Sequence, residues 1–306
     1  MDIIRDILTV LRLRGNLYFR TDLREPWGIF VPTEGNIARF HVVISGSCWM
    51  AVEGFEPFRV SEGDLVIVPH GSAHRLMDDP GRPCRDLPEV LEEQEFTGNG
   101  ILRYGGSGAT TSLVCGYFSF DGDVIHPLIE SLPNKLHIEG RDNLNFLWLD
   151  TVMKFIGIEA ETNSLGSLAI IERLSEILFI QVIRAYSTIA NDSTGYLAAL
   201  GHDQIGRVLA QIHKEPNEKW TLEKLARLAG SSRTAFTEQF HSMMGMPPIE
   251  YLTRWRMIVA RSRLIETKKP IAEIAEDVGY QSEASFRTAF KRVFGTSPGF
   301  YRSSEA

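Results

Sequence analysis

The sequence predicts an α+β chain of two domains: a barrel of short β-strands followed by helices, then an all-α domain with two helix-turn-helix motifs. Three observations carry this. The front half holds β-branched and aromatic runs cut by Gly and Pro, two long amphipathic stretches follow, and the last third repeats one helical pattern about 50 residues later.

The chain has 306 residues with 43% apolar and 10% aromatic side chains, enough for two cores. Its N-terminus, Met1-Asp2-Ile3-Ile4-Arg5-Asp6, lacks the basic-then-apolar order of a signal peptide. No apolar run approaches the ~20 residues of a membrane span, so the expectation is a cytoplasmic protein with no membrane partner. Three cysteines without a C-x-x-C pair fit a reducing compartment rather than a disulfide framework.

In chain order, 1–188 is the first expected domain, with a barrel over about 15–125 and helices over about 143–187. Phe40 to Val52, Asp64 to Val68 and Thr110 to Phe120 read as strands, with turns at Gly35, Gly46, Gly54 and Gly63. Short strands at this spacing suit a small barrel or jelly roll. Asp78 to Thr111, with Pro80, Pro83, Pro88 and six Gly, reads as a partly ordered loop, and its Glu89, Glu92, Glu93 and Glu95 as a solvated cluster.

Asn143 to Glu161 is amphipathic through Leu144, Leu147, Trp148, Val152 and Phe155. Ser164 to Tyr186 repeats Leu168, Ile171, Leu178, Val182 and Ala185 at alternating spacing of three and four, with Ser175 in the skipped place. A seam this long needs a partner, either the barrel or the same helix of a second subunit. Residues 189–202 read as a linker, because Asn-Asp-Ser-Thr-Gly sustains a helix poorly. From Asp203 a helix with Ile205, Val208, Leu209 and Ile212 opens the second domain, 203–306.

The two repeats span 221–245 and 270–295. In the first, Leu222, Leu225, Ala226 and Ala229 form one stripe behind a Thr221 cap, Gly230 makes the turn, and Ser231 or Ser232 caps a helix with Phe236, Phe240 and Met243 or Met244 inward, closed by Gly245. In the second, Pro270 opens a helix with Ile271, Ile274, Ala275 and Val278, Gly279 turns it, and Ser282 caps a helix with Phe286, Phe290 and Phe294 inward. Each is a unit of the kind that lays its second helix in the major groove, and two of them about one DNA turn (~34 Å) apart suit one face of a duplex. Ile249 to Thr267, free of Gly and Pro, reads as the helix that spaces them.

Charge is divided accordingly. The chain as a whole is at −7, but residues 202–306 hold 16 basic against 12 acidic side chains, and residues 1–201 hold 16 against 27. The basic portion offers Lys224, Arg256, Lys291 and Arg292 as phosphate contacts.

The region from His202 to Arg302, with its closing Gly295-x-x-Pro298-x-x-Tyr301, closely resembles the DNA-binding domain of the AraC/XylS family of bacterial transcription regulators. The resemblance implies promoter double-stranded DNA as partner, with RNA polymerase as a further one if the protein activates. It places Arg233, Thr234, Thr237 and Glu238 of the first reader, and Gln281, Ser282, Glu283, Ala284, Arg287 and Thr288 of the second, toward the DNA. The chain departs from the family at Glu238 and Thr288, where Arg is common, and at His241, where a basic residue is common. Glu238 either accepts from a cytosine amino group or marks the first reader as the weaker one.

Gly63, Pro69, Gly71 and His74 fit G-x5-P-x-G-x2-H, which looks like the second motif of cupin barrels. The first motif is largely missing: Arg39 stands where metal-binding cupins usually place Glu, and no His-x-His lies just upstream. Pro26-Trp27-Gly28, Phe40-His41-Val42-Val43 and Val114-Cys115-Gly116 instead resemble the cupin-type sensory domain of one branch of the AraC family. By that resemblance the chain is expected to dimerise and to bind a small-molecule effector.

The candidate effector pocket is Trp27, Phe40, His41, Trp49, His74 and Cys115, each of which is equally a core position. If His41, His74 and Cys115 converge, they offer ligands for zinc or copper, or a thiol whose pKa the imidazoles lower for sensing an oxidant, so that the signal is a small molecule, an oxidant or a metal. Neither catalytic residues nor a cofactor is assigned, for no nucleophile triad, P-loop or dinucleotide fingerprint occurs. The reading is a regulator and not an enzyme, with a cupin-type metal enzyme fused to a DNA-binding domain as the alternative and a protein-binding adaptor as a third.

Overall fold

The computed structural model describes residues 3–98, 100–120, 126–140, 147–162, 164–189 and 195–304. They form two compact units, one of Leu13–Asp121 and Leu132–Thr188, the other of Met1–Arg12, Gly122–Ser131 and Ile189–Ala306.

The first unit holds two sheets. One orders as β11-β6-β3-β10-β1-β9 and the other as β5-β4-β7-β2-β8. The strands are β1 (Arg14–Arg24), β2 (Gly28–Val31), β3 (Ile37–Ser45), β4 (Ser47–Val52), β5 (Phe58–Ser61), β6 (Leu65–Val68), β7 (His74–Met77), β8 (Arg85–Asp86), β9 (Ile101–Gly105), β10 (Thr110–Ser119) and β11 (Leu136–Ile138). Pairing is antiparallel except where β9 joins β1 and β8 joins β2. The expected barrel is thus a pair of sheets with no closed ring of strands among the described residues. Phe19, Leu23, Val43, Val66, Leu113 and Cys115 of the larger sheet meet Ile29, Val31, Met50, Val52 and Leu76 of the smaller one in a shared core. Each such side chain stabilises the fold by roughly 1.5–3 kcal/mol when fully buried.

Strand β3 is covered on both faces, because its alternate residues serve different layers. Val43 enters the inter-sheet core, whereas Phe40 packs on Phe118 at 4.9 Å, and Phe118 on Phe179 at 5.0 Å. Phe179 belongs to α5 (Ser167–Ile189), which follows α4 (Leu147–Thr162). Ser175, the polar interruption of the seam, lies over Gly15 so closely that a Cβ there would stand 2.2 Å from its own. Only glycine permits that approach. Leu144, expected in the first helix, lies outside the described residues.

The expected loop over 78–111 is more regular than its composition suggests. It contains β8, the helix α2 (Leu87–Glu93) and β9, with Leu87, Val90 and Leu91 packed on the core. Pairing of β9 with β1 supplies the hydrogen bonds that its glycines alone would not secure.

The second unit is helical: α1 (Ile3–Leu11), α3 (Pro127–Glu130), α6 (Tyr196–Gly201), α7 (Asp203–Lys214), α8 (Leu222–Ala229), α9 (Arg233–Met244), α10 (Pro248–Glu266), α11 (Ile271–Asp277), α12 (Glu283–Phe294) and α13 (Pro298–Ser304). Helix α6 occupies part of the stretch read as linker. Its Tyr196 is buried, with the hydroxyl 2.9 Å from that of Tyr251. Two elements come from the front half of the chain. Helix α1 buries Ile7 and Leu11, and its neighbour Arg12 pairs with Glu266 at 3.3 Å; α3 buries Leu128 and Ile129, and its Glu130 pairs with Arg254 at 3.4 Å. No helix among the described residues is long and apolar enough to cross a membrane.

Candidate functional site

The readers are built from caps and turns. Thr221 accepts a hydrogen bond from the Lys224 N–H at the start of α8, Ser232 from the Ala235 N–H at the start of α9, and Ser282 from the Ser285 N–H at the start of α12. Gly230 and Gly279 make the two turns at φ +67° and +86°, and Gly245 and Gly295 end the second helices at +69° and +74°. All four lie in the left-handed region that glycine enters freely. Phe236 and Phe240 in α9, and Phe286, Phe290 and Phe294 in α12, turn inward, which fixes the opposite faces outward.

On those faces Arg233, Thr234 and Glu238 are exposed and Thr237 is half-buried. In the second reader Gln281, Ser282, Ala284, Arg287, Thr288, Lys291 and Arg292 are exposed and Glu283 is half-buried. Each reader's arginine is held by a carboxylate. Arg233 Nη1 lies 3.0 Å from Glu223 Oε1, and Arg287 places Nε 2.6 Å and Nη2 2.5 Å from Glu283 Oε1. Glu223 was missing from the expected set because it sits on the first helix of its unit, away from the recognition pattern. Thr237 and Thr288 donate their hydroxyls to the carbonyls of Arg233 and Ala284.

Arg256, expected among the phosphate contacts, is largely committed elsewhere. Its Nε donates to Pro216 O at 2.7 Å and Nη2 to Glu218 O at 2.8 Å, and the guanidinium lies over the Tyr280 ring. It braces the turn before α8 against the turn of the second reader. Lys224 is engaged by Glu218 at 2.7 Å.

Of the six candidate pocket residues, three come into contact. His41 Nδ1 is 3.1 Å from Cys115 Sγ, and His41 Nε2 is 2.8 Å from His74 Nε2. His74 Nδ1 faces the Ser72 carbonyl at 2.9 Å. That carbonyl only accepts, so His74 carries its proton on Nδ1 and accepts at Nε2. His41 must then donate from Nε2 and accept at Nδ1, which makes the Cys115 thiol the donor. The chain of bonds runs one way, from thiol to backbone. Trp27 is buried in the same inter-sheet core, but Phe40 is on the opposite face of β3, and Trp49 lies half-buried on the outward face of the smaller sheet. The six do not form one cavity lining.

Burial sets the protonation states. It pulls His41 well below its usual range, reinforced by His74 and Arg39, and brings His74 down to about 4. It pushes the Cys115 thiol well above its usual range. The expected lowering of the thiol pKa by the imidazoles is therefore corrected: both rings are neutral and the thiol is protonated.

The group does not fit a metal. One zinc held by two imidazoles at about 2.0–2.1 Å in tetrahedral geometry sets its nitrogens about 3.3 Å apart, farther than the 2.8 Å seen. His41 also points its two nitrogens at different partners. Arg39, buried and bonded to the Pro32 carbonyl and to Glu34 Oε2 at 2.6 Å, adds a cation nearby. Among the described residues no group of three or more His, Cys, Asp or Glu side chains is placed to hold a metal ion. The zinc or copper considered for His41, His74 and Cys115 has no site in this geometry.

Comparison with known proteins agrees with the two-part architecture. The family described as "Cupin" matches residues 2–188, and that described as "Helix-turn-helix domain" matches residues 225–304. A putative AraC-like transcription regulator of Streptomyces antibioticus is 32% identical, covering 99% of this chain and 98% of its own length. The HTH-type transcriptional regulator AlkR of Acinetobacter baylyi is 28% identical with 99% of both covered. Among solved structures, the C-terminal domain of AraT, a response regulator from Geobacillus stearothermophilus, is 35% identical over 34% of this chain and 86% of its own, with a TM-score of 0.33. Full-length identity and both domain matches point one way, and the chain belongs to the AraC-type transcription regulators that carry a cupin N-terminal domain.

Proposed function

We propose that the chain regulates transcription as a homodimer that reads promoter DNA with α9 and α12 and responds to a small molecule bound by its cupin unit. The observation that carries this is the equivalence of the two readers: each starts at a serine cap, buries phenylalanines on one face and presents an arginine and a threonine on the other. In this reading Arg233 and Arg287 address guanine edges, Thr234, Glu238, Gln281, Ser282, Glu283 and Ala284 surround them, and Lys291 and Arg292 meet phosphates. Thr237 and Thr288, whose hydroxyls are spent on their own helices, present methyl groups suited to thymine. Arg256 acts from behind, by holding the readers' scaffold.

Dimerisation is proposed through α4 and α5. Phe155 and Ile158 of α4, Leu168, Ile170 and Ile177 of α5, and Leu165 between the two helices are exposed, large apolar side chains that water disfavours. A cytoplasmic location follows from a DNA target.

The test is fluorescence-anisotropy binding to DNA upstream of the protein's own and neighbouring genes, titrated with salt and competitor. The reading expects sequence-preferring binding whose affinity falls steeply as salt rises. Salt-insensitive binding, or equal affinity for every fragment, sinks it.

A further inference from the structure

We infer that the outward face of the five-stranded sheet is a small-molecule site, and that it suits a flat apolar compound with an anionic group at one end and a cationic group at the other. As a binding site the inference stands alone; as the effector site it rests on the regulator reading.

Side chains of both sheets pack together in the space between them. On the other side of the smaller sheet lies a groove of about 610 Å³, within the ~300–1,000 Å³ of sites for small ligands. Strand register defines its floor. Ala51 pairs with Arg75, Arg75 with Phe30, and Phe30 with Asp86, which sets these four in one row across β4, β7, β2 and β8. Their neighbours Met50, Val52, Leu76, Ile29 and Val31 are buried in the inter-sheet core, so the row faces outward. One step along, Trp49 pairs with Met77 and Met77 with Gly28. Gly28 has no room for a side chain: a Cβ would stand 2.6 Å from Pro83 O and 3.1 Å from Cys84 Sγ. The 80–84 segment crosses there and walls the groove, with Pro57 also lining it.

Charge selects the ligand. Arg82 lines the groove but is neutralised by Asp78 at 2.7 Å. Arg75 and Asp86 are exposed, and neither has an ion-pair partner among the described residues. They stand on either side of Phe30, two strand spacings or about 10 Å apart at the backbone. The Arg75 guanidinium lies 5.9 Å from the Phe30 ring centre, so cation and ring present one continuous surface. A carboxylate meets Arg75 in bidentate fashion, an ammonium meets Asp86, and the body of the ligand covers Phe30.

The native reporter is Cys84, half-buried in this groove, while Cys48 and Cys115 are buried. The rate at which N-ethylmaleimide alkylates Cys84 in the full chain is measured against four probes with one shared body: para-aminomethylbenzoate, para-toluate, para-methylbenzylamine and para-xylene. The zwitterion is expected to protect at a concentration about fivefold below either singly charged probe, the upper end for a solvent-exposed ion pair. Para-xylene should be weakest. Arg75→Gln should erase the zwitterion's advantage over the amine, and Asp86→Asn its advantage over the acid. Protection by none of the probes, equal protection by para-xylene, or a ranking unchanged in both variants overturns the site. Promoter binding without any probe is measured on the same samples. If it is absent while protection persists, the regulator reading fails and the groove stands; if it is present without protection, the groove fails alone.

Discussion

Arg287 shares a single carboxylate oxygen of Glu283, one helical turn earlier, through both Nε and Nη2. A carboxylate in that position does two things at once. It aims the guanidinium along the outer face of α12, and it screens a positive charge that would otherwise attach to any phosphate. Arg287→Ala is expected to weaken binding to the preferred site by about 1–3 kcal/mol, with little change on random duplexes. Glu283→Ala should raise affinity for random DNA and steepen the salt dependence. Anisotropy titrations of the two variants decide the matter, and equal losses on both DNAs for Arg287→Ala would reduce it to a phosphate contact.

Acid should destabilise the protein from a defined point. Burial brings His74 to about 4 and His213 to about 3, and pulls His41 and His126 well below the ordinary 6.5. Their unfolded forms take up protons near 6.5 while the folded forms do not, so stability is full above that pH and declines as pH falls toward the folded values. The slope is about 1.4 kcal/mol per buried histidine per pH unit. Urea midpoints at pH 7.5, 6.5 and 5.5 measure it; a midpoint that holds steady or rises on acidification contradicts the neutral-imidazole assignment.

The three thiols should differ in reactivity. Burial pushes Cys48 up to about 12 and Cys115 higher still, and Cys115 donates its proton to His41. Under native conditions, alkylation followed by mass spectrometry should therefore label Cys84 first, with Cys48 and Cys115 reacting only as fast as the sheets open. Labelling of Cys115 at the Cys84 rate would show a thiolate where the geometry has a thiol.

The two reader turns offer a matched pair. Gly230→Ala places a side chain in open space at φ +67° and should cost about 1–2 kcal/mol for the left-handed backbone alone. Gly279→Ala adds a collision, since its Cβ would stand 2.7 Å from Arg256 Nη2 and 2.9 Å from the Asn217 backbone. Its loss in thermal stability should exceed that of Gly230→Ala. Equal losses would mean that the Arg256 brace yields freely.

A charge on the exposed face of α5 tests the homodimer. Leu168 is 71% exposed, so Leu168→Glu should leave the fold intact while shifting sedimentation from dimer to monomer. A wild-type chain that sediments as a monomer at every concentration removes the proposal.

The readers were legible because two levels of pattern agreed. Thr221, Ser232 and Ser282 fix where helices start, Gly230, Gly245 and Gly295 fix where they stop, and the repeat confirms each assignment against its twin. The interior of the cupin unit was not legible in the same way. Residues 40–43 of β3 are all buried, so no period of two separates Phe40, which faces the helices, from His41, which faces the other sheet. The outward position of Trp49 follows only from its register with Met77. Helix α1 left a readable trace in Ile3, Ile4, Ile7 and Leu11, at helical spacing, but nothing in that trace names the surface it covers.

That surface bears on how the protein is taken apart. A cut anywhere in residues 189–202 looks clean on paper, since it separates the two family matches. It would nonetheless strip the helical portion of α1 and α3, baring the apolar beds of Ile7, Leu11, Leu128 and Ile129 and leaving Glu266 and Arg254 without Arg12 and Glu130. Excised reader fragments and domain-exchange hybrids joined at this linker thus inherit exposed hydrocarbon that the intact chain never shows to water, and poor solubility in them would report on missing pieces rather than on a faulty DNA reader.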